Sequence, residues 1–408
     1  MKYSGIDSML IKNCRLVTSR EIILADVLIE GEKIVNIGRG SRSGEVIDAK
    51  NKFVIPGLVD VHVHMRDFEQ SYKEDFFSGS SAALAGGITT FVDMPNSSPP
   101  ATDSKTFQRR LEVASKKSLV DFGINFGITS GNLEESKKVA PVACKVYMDG
   151  TLGEINEEVL AQAIKERNRV AVHAEYASMD GKPKAEEEAV KKVCSLAANF
   201  KKPVHICHIS CRSSLNYLNE YTTCEVTPHH LMLTERELRE QGNIARVNPP
   251  LRTQADNRAL WAALKSERIN AVASDHAPHE VSEKEEDALP GFPNLDVMLR
   301  LFLTLVNERK ITIQELVRWM CENPAKIFGI KNKGEIKVGS DADLIILNME
   351  EKSKIDVDEF YSKAKYSPFE GQTTVGSAGR VILRGKPAFE EGEILVKRGY
   401  GRLISLYP

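Results

Sequence analysis

Residues 56–64 read PGLVDVHVH, and this stretch decides the fold of the chain. Residues 58–63 are mostly apolar and β-branched, and Pro56-Gly57 marks a turn before them, which is typical of a buried strand. Because residues two apart in a strand face the same side, His62 and His64 project together from its end. Such a pair suits a bound metal ion, although ordinary polar residues also occur at strand ends. The stretch predicts a buried strand with two candidate metal ligands.

More apolar runs of this kind follow, and amphipathic or charged segments separate several of them. The eight runs are VIPGLVDVHVH (54–64), GITTFVDMPN (87–96), DFGINFGI (121–128), ACKVYMD (143–149), RVAVHAE (169–175), PVHICHIS (203–210), TTCEVTPHH (222–230) and NAVASDHAPH (270–279). The clearest helical segments between them are 105–117, 156–168 and 185–199. This alternation favours a parallel sheet, and eight units over about 270 residues match a (β/α)8 TIM barrel.

The chain begins and ends with β-rich sequence outside this α/β block. Short strands are predicted at 9–17, 24–30, 32–38 and 45–48, and β-like runs return at 342–349 and 380–389. Helices are predicted at 295–307 and 312–322, before the break at Asn323-Pro324. We therefore predict a discontinuous β-sandwich domain from residues 1–55 and 333–408, beside a barrel at residues 56–332.

The composition excludes several other classes of protein. The 408 residues are 42% hydrophobic and 27% charged, with a formal net charge of -2 at pH 7. These values fit a globular chain with no broad basic surface for nucleic acid or an anionic membrane. No apolar stretch is long enough to span a bilayer, and we expect no signal peptide at residues 1–13. The seven cysteines include no C-x-x-C pair, so we expect reduced thiols in a cytoplasmic protein.

Chemically distinctive side chains stand where the predicted barrel strands end, at the edge where TIM barrels carry their active sites. The set is His62, His64, Lys145, His173, His208 and Asp275. Buried charges are costly unless they are paired or bind a metal, and imidazole with carboxylate suits zinc and related ions. We therefore predict a metal centre in the barrel.

Lys145 is the unusual member of this set, because an ammonium beside metal cations is unfavourable. A lysine with a lowered pKa is nucleophilic as the free amine. Its reaction with CO2 would give a carbamate whose two oxygens can bridge two metals. Asp149, four residues later, is the alternative bridging carboxylate. We favour Lys145 because it lies within the strand, whereas Asp149-Gly150 is typical of the start of a loop.

Other histidines and a cysteine near these strands are expected to support the site from outside. His205 and Cys207 are expected to pack in the core or behind the ligands. An extra metal site with Cys207 and Glu225 stays open. His229-His230 follows a strand end, and we expect it to support the site or to pack at the start of a helix.

Two segments are interpreted as loops. The charged run 283–287, which includes Lys284, is predicted to be solvated. Thr151-Leu152 lies between two glycines, and is either a mobile lid over the site or a plain surface turn.

Taken together, these motifs resemble the amidohydrolase superfamily, and among its cyclic amidohydrolases they are most similar to the dihydroorotases. The resemblance covers nearly the whole chain, with the motifs in the family's order. They are PGLVDVHVHMRD, DMPNSSPP, KVYMDGT, VHAE, CHIS, EVTPHHL, NPPLR, SDHAPH and PGFPNLDVML. The resemblance implies reversible cyclisation of N-carbamoyl-L-aspartate to L-dihydroorotate in de novo pyrimidine (UMP) biosynthesis.

The resemblance also implies a role for each matching residue. Two zinc ions per chain would be held by His62, His64, Lys145 carboxylated by CO2, His173, His208 and Asp275. Asp275 would act as general base and then general acid for a hydroxide between the metals. The implied substrate contacts are Arg66, Asn96, Asn248, His279, Pro290 and Gly291. A surface ion pair with Asp67 or Glu69 is the competing interpretation of Arg66.

The sequence departs from the family's pattern in two places. Arg66-Asp67-Phe68-Glu69 stands where many dihydroorotases have Arg-Glu-Pro-Gly, and we expect an altered loop above the site. Asn294 and Asp296 stand where Gly and Glu are usual, and we expect a changed docking of the helix behind the site.

Alternative functions stay open beside this one. Allantoinase and dihydropyrimidinase open cyclic amides with a similar metal site, but Arg66 and His279 count against them, since their substrates lack an external carboxylate. A non-catalytic scaffold would have lost metal ligands, whereas every expected ligand is present. The expected partner is a small-molecule substrate, with neither nucleic acid nor membrane. A homodimer or an association with aspartate transcarbamoylase stays open.

Overall fold

The computed structural model describes residues 8–179 and 181–408. Residues 1–7 of the predicted β-sandwich and of the segment considered for a signal peptide lie outside the described residues. The first strands are β1 (Ser8–Val17), β2 (Ile22–Glu30), β3 (Lys33–Gly38), β4 (Glu45–Asp48) and β5 (Phe53–Pro56). Along β2, Ala25, Val27 and Ile29 are buried and alternate with more exposed residues. This period of two is typical of a sheet with one covered face.

Parallel strands follow in the order that the apolar runs predict. They are β6 (Leu58–Val63), β7 (Ile88–Asp93), β8 (Asp121–Ile124), β9 (Phe126–Gly127), β10 (Cys144–Tyr147), β11 (Val170–His173), β12 (Val204–Ile206), β13 (Thr222–Val226) and β14 (Ala271–Val272). The run DFGINFGI supplies both β8 and β9, because Asn125 interrupts it. Strands β6–β8 form one group and β9–β14 the other.

Two junctions join these groups into a barrel. At the first, Asn125 donates its backbone N–H to Asp93 O at 3.0 Å, and its Oδ1 accepts the Ala143 N–H at 3.0 Å. At the second, the His64 N–H donates to His276 O at 2.8 Å, which connects the end of β6 to the segment after β14. The ends of β6 and β14, which carry His62, His64 and Asp275, are thereby brought side by side.

Helices lie between the strands and after them. They are α1 (Phe76–Ala85), α2 (Ser104–Lys117), α3 (Leu133–Ser136), α4 (Glu157–Glu166), α5 (Pro183–Phe200), α6 (Pro228–Met232), α7 (Glu235–Gln241), α8 (Gln254–Lys265), α9 (Val281–Glu285), α10 (Met298–Asn307), α11 (Ile313–Val317) and α12 (Asn323–Ile327). Asp75 and Asp103 cap α1 and α2 by accepting N–H groups of the first turn. The predicted helix at 312–322 is divided, since Arg318–Glu322 is a π-helix.

The C-terminal strands return to the N-terminal sheet. They are β15 (Leu344–Lys354), β16 (Thr373–Leu383), β17 (Lys386–Glu390) and β18 (Glu393–Ile394). The sheet runs in the order β18-β17-β16-β15-β5-β1-β2-β3, with β4 paired to β1. β15 lies antiparallel to β5, with Leu344 opposite Pro56. The fold class is therefore confirmed: a (β/α)8 barrel with a β-sandwich built from both ends of the chain.

The domain boundaries at residues 55/56 and 332/333 stay a prediction. Residues 403–406 do not follow the second boundary, because they pair with residues of the barrel. Leu403 pairs with Phe122 of β8, and Leu406 pairs with Ile330. The end of the chain therefore lies against the barrel and not within the β-sandwich sheet.

Lys333 joins the barrel to the β-sandwich through buried charges. Its Nζ lies 2.5 Å from Asp121 Oδ2, 2.6 Å from Asp343 Oδ2 and 2.9 Å from Asp341 Oδ2. Asp121 is the first residue of the barrel strand β8, whereas Asp343 directly precedes β15 of the β-sandwich. Arg384 also pairs with Asp121. Lys33 pairs with Asp341 at 2.5 Å, so three cations face the three carboxylates, and the cluster is an ion-pair network and not a metal site.

Replacing Lys333 with methionine is expected to lower the free energy of unfolding by about 3–5 kcal/mol, because it leaves buried carboxylates without their cation. Urea unfolding followed by circular dichroism measures this change. Lys337→Met is the matched control: Lys337 is exposed, and its ion pair among the described residues is with Glu335, so its loss should cost less than about 1 kcal/mol. Equal losses in the two variants would contradict a special role for Lys333.

Two further properties bear on the expectations from composition. All seven cysteines lie in the described part of the chain, where they are buried free thiols. Across residues 8–179 and 181–408, no helix combines the length and apolar character needed to cross a membrane.

Candidate active site

His62, His64 and Asp275 meet where β6 and β14 end. His62 Nε2 lies 3.4 Å from Asp275 Oδ1, and His64 Nε2 lies 3.1 Å from the same oxygen. The two imidazoles therefore face one carboxylate, as their spacing along the strand predicts. Asp275 has a φ of 47°, a left-handed conformation that few residues other than glycine, asparagine and aspartate adopt. Such strain is typical of functional positions.

His173 and His208 form a second pair on neighbouring strand ends. His173 Nδ1 lies 3.0 Å from His208 Nε2, and the ring centroids are 4.6 Å apart. The His208 ring is also 5.1 Å from that of His62. The structure thus brings all four predicted imidazoles into one cluster.

Lys145 lies in β10 and is fully buried. Its Nζ donates to Cys207 Sγ at 2.8 Å and lies 4.9 Å from the centroid of the Tyr147 ring. Asp149, the alternative bridging residue, lies on the other side of the cluster, with its Oδ2 3.6 Å from His173 Nε2. Whether Lys145 or Asp149 bridges a pair of metals therefore stays a prediction in favour of Lys145.

The protonation of Asp275, His64 and His208 favours metal binding. Burial alone would raise the pKa of Asp275, but His62, His64 and His208 outweigh it and hold the pKa well below its usual value. Burial lowers the pKa of His64 to about 4, and burial with the nearby His173 lowers the pKa of His208 further. An ionised carboxylate and neutral imidazoles are the forms in which Asp275, His64 and His208 bind divalent metals. His62 differs, because Glu225 and Asp275 outweigh the effect of burial and raise its pKa to about 10, so a bound metal would have to displace its proton.

The distances within the cluster are also short enough for a metal centre. Three ligand atoms lie within 4.8 Å of one another, and they come from His62, His208 and Asp275. Among the described residues, His173 Nε2 and His208 Nδ1 are buried without a hydrogen-bond partner. Buried polar atoms are normally satisfied, so these two nitrogens point to a ligand of another kind. The residues fit a divalent metal site.

Glu225 and His205 support His62 from behind. The Glu225 carboxylate hydrogen-bonds His62 Nδ1 with one oxygen and His205 Nε2 with the other, the latter at 3.0 Å. A carboxylate on the far nitrogen orients a metal-binding imidazole. Cys207 lies beside this network, since its Sγ groups with His62 and Glu225 as candidate ligands. This geometry fits supporting roles for His205 and Cys207. It also fits an extra metal site at Cys207 and Glu225, so both interpretations stay predictions.

Arg66 is buried at the edge of the cluster, and not on the surface. Its Nε donates to Pro278 O at 3.1 Å, and its Nη2 lies 3.2 Å from His279 Nε2. Asp67 pairs instead with Lys117, at 2.9 Å. The interpretation of Arg66 as a surface ion pair is therefore wrong, and its guanidinium lies next to His279, another implied substrate contact.

The other implied substrate contacts surround this guanidinium and the metal ligands. Asn96 Oδ1 lies 2.7 Å from His64 Nδ1, and Asn248 Nδ2 donates to Asp149 Oδ2 at 3.2 Å. Pro290 O lies 3.0 Å from His279 Nε2. A Cβ at Gly291 would lie 2.5 Å from Ala277 O, so the close approach of these two segments requires glycine.

The structure also shows the contacts of the candidate lid and of Asn294 and Asp296, two residues that differ from the family's usual pattern. The Thr151 hydroxyl donates to Asp149 Oδ1 at 2.8 Å, and the lid role of Thr151-Leu152 stays a prediction. Asn294 donates to Ser274 O at 2.9 Å, next to Asp275. Asp296 accepts the Tyr361 N–H at 2.8 Å, and so anchors the segment that precedes α10.

Two buried lysines near His279 differ from what the sequence indicates. Lys73 has no signal in the sequence, and Lys284 is predicted to be solvated. Lys73 is buried, and its Nζ lies 3.3 Å from His279 Nδ1 and 2.7 Å from Glu283 Oε1. No local signal marks it, because its partners are about two hundred residues away along the chain. The predicted solvated loop is wrong for Lys284, which is fully buried in the short helix α9. The charge pattern of residues 283–287 indicates a solvated loop because Lys284 is the one buried residue among exposed or half-buried acidic neighbours.

Comparison with known proteins agrees with this fold and site. The model of the amidohydrolase family matches residues 53–388, most of the chain. The chain therefore belongs to the amidohydrolase family.

Relatives that match nearly the full length of the chain indicate a particular group within the amidohydrolase family. A dihydroorotase of Methanothermobacter thermautotrophicus is 39% identical, covering 97% of this chain and 96% of that protein. A dihydroorotase of Pyrococcus horikoshii is 40% identical, covering 94% and 93%. Within the amidohydrolases, the chain groups with the dihydroorotases, which are cyclic amidohydrolases.

Solved structures of other cyclic amidohydrolases share the fold. The L-hydantoinase (dihydropyrimidinase) of Arthrobacter aurescens superposes with a TM-score of 0.93 at 30% identity, covering 98% of this chain and all of that one. The dihydropyrimidinase of Brevibacillus agri gives 0.90 at 27% identity, with 98% of each chain covered.

Proposed function

We propose that this chain is a dihydroorotase, which interconverts N-carbamoyl-L-aspartate and L-dihydroorotate in de novo pyrimidine biosynthesis. The observation that carries the proposal is the buried guanidinium of Arg66, which lies two residues beyond the candidate ligand His64. Dihydroorotate bears a carboxylate outside its reacting ring, and a guanidinium recognises a carboxylate through two parallel hydrogen bonds. The identity to archaeal dihydroorotases over nearly the whole chain supports the same reaction.

The metal centre that this reaction needs would be held by the clustered strand-end residues. They are His62, His64, Lys145, His173, His208 and Asp275. We propose two zinc ions, with Lys145 carboxylated by CO2 as the bridging ligand. When bound, such a pair lowers the pKa of a water molecule and polarises a carbonyl group. The full burial of Lys145 within β10, beside the candidate metal ligands, supports this role.

Asp275 moves the proton in this scheme. Its carboxylate is ionised and close to His62 and His64, so it can accept the proton that the attacking water loses. It then returns that proton to the ring nitrogen as the amide bond breaks. In the direction of cyclisation the same carboxylate takes the proton from the attacking nitrogen.

The remaining contacts orient the ring so that its amide carbonyl faces the metal ligands. Arg66 and Asn96 would hold the external carboxylate, with His279 beside them. Backbone groups of Pro290 and Gly291 would meet the ring amide. His279 suits this place as a neutral imidazole, since burial and then Arg66 lower its pKa to about 2.

A cyclic amidohydrolase acting on uncharged rings is the second candidate, and the likeness to solved hydantoinases favours it. We expect the purified protein to hydrolyse L-dihydroorotate at least about a hundredfold faster than dihydrouracil or allantoin, because those rings leave the buried Arg66 unpaired. Ultraviolet absorbance of each substrate gives the rates, and elemental analysis of the same sample gives the metal content. A faster reaction with dihydrouracil or allantoin would overturn the dihydroorotase assignment.

A further inference from the structure

Lys284 carries a buried positive charge that the proposed reaction does not use. Its side chain has no exposed surface, and its Nζ donates to Leu289 O at 2.8 Å and to Arg246 O at 2.9 Å. Among the described residues, no carboxylate lies within 4 Å of this nitrogen. Buried lysines are costly unless something stabilises their charge. Burial, and then Arg246, lower the pKa of Lys284 to about 7, so the ammonium is the main form below that pH.

The ammonium lies directly behind the backbone segment proposed to meet the substrate ring. Leu289, whose carbonyl it binds, precedes Pro290 and Gly291. The Gly291 N–H donates to Arg246 O at 2.9 Å, the same carbonyl that Lys284 binds. The Tyr366 hydroxyl donates to Gly291 O at 3.3 Å and accepts the His279 N–H at 3.1 Å. Lys284 is therefore one layer removed from the substrate contacts.

Positive charge exceeds negative charge around His279. The cations are Arg66, with Nη2 3.2 Å from the ring, Lys73, with Nζ 3.3 Å from it, and Lys284 behind Pro290. Glu283 pairs with Lys73, and is the carboxylate that balances one of these three charges. Because burial and these cations keep His279 neutral, the imidazole adds no charge of its own. An anionic group arriving here would complete the charge balance.

Building on the proposed function, we propose that Lys284 is a specificity-determining residue for substrate charge. Its ammonium, held behind Pro290 and Gly291, favours a ring that carries a carboxylate outside the reacting amide. Charges interact over several ångströms in such a dry region, so direct contact is not required.

The test compares L-dihydroorotate with its methyl ester, whose external group is uncharged. Two neutral variants separate charge from hydrogen bonding: Lys284→Gln keeps an N–H donor, whereas Lys284→Met keeps only the stem. At about pH 6, where Lys284 is mostly an ammonium, we expect both variants to raise the KM for dihydroorotate about tenfold, with kcat within about twofold of the wild type. The kcat/KM for the methyl ester should stay unchanged. Metal content and the unfolding temperature are measured on each metal-loaded protein.

Lys352→Gln, at an exposed position of β15, is the matched control and should leave both substrates unaffected. Equal losses for the acid and the ester would show that Lys284 only holds the 289–291 segment in place. An unchanged KM for the acid in a folded neutral variant would also overturn the proposal. If the wild type fails to hydrolyse dihydroorotate, the proposed function itself is wrong. If the wild type is active and the variants keep its preference for the acid over the ester, only the role of Lys284 is wrong.

Discussion

Replacing Lys145 with alanine is expected to lower kcat/KM for L-dihydroorotate by about three orders of magnitude and to remove most of the bound metal. The lysine is fully buried within β10, and its Nζ reaches the region between Cys207 and the histidine cluster. A carbamate formed there would supply the anionic oxygens that a metal pair needs. Alanine can neither form that carbamate nor place any other ligand at the same point. Steady-state kinetics and elemental analysis of one preparation measure both effects.

Asp149→Ala is the matched control for this prediction. Asp149 was the alternative bridging residue, but its carboxylate accepts from Thr151 and Asn248 at the loop side of the cluster. We expect the control to retain most of its metal and to lose activity only moderately, through the loop. If Asp149→Ala loses metal and activity while Lys145→Ala keeps them, then Asp149 is the bridging ligand.

The sequence predicts the barrel and the meeting of its strand-end residues well because both depend on short-range patterns. Each barrel strand is a short apolar run, and strand direction fixes which end carries the polar residue. His62, His173, His208 and Asp275 therefore converge in the structure as expected, although their partners are far apart along the chain. The interruption at Asn125 could not be predicted, because it depends on Ala143 of the neighbouring strand.

The surroundings of the substrate contacts were harder to predict, because they depend on contacts between distant segments. Lys73 and Lys284 belong to charged stretches that look solvated, yet both are buried where the segments after β6 and β14 pack together. Hydrophobic periodicity cannot predict the burial of a lysine such as Lys284, because its ammonium donates hydrogen bonds to backbone carbonyls of other segments. The orientation of His62 by Glu225 likewise depends on two strands that are not adjacent in sequence.

Replacing Asp275 with asparagine is expected to lower kcat by about 10³-fold or more, since general acid–base catalysis contributes roughly 10²–10⁴-fold and Asp275 acts in both directions. Asparagine is the informative replacement because it tolerates the left-handed backbone at this position, where φ is 47°. Its carbonyl oxygen can still face His62 and His64, so we expect it to bind metal when metal is supplied in excess. The amide cannot accept a proton at neutral pH, so the loss should fall on kcat more than on KM.

Asp296→Asn makes the same chemical change in a buried carboxyl that touches no candidate ligand. Burial raises the pKa of Asp296 to about 6, and its Oδ1 accepts the Tyr361 N–H, which an amide oxygen can also accept. The control should therefore keep kcat within about threefold of the wild type. A metal-loaded Asp275→Asn variant with more than about a tenth of the wild-type kcat would mean that another group carries the proton. Under that outcome Asp275 would remain a metal ligand only, since its position beside His62 and His64 does not depend on proton transfer.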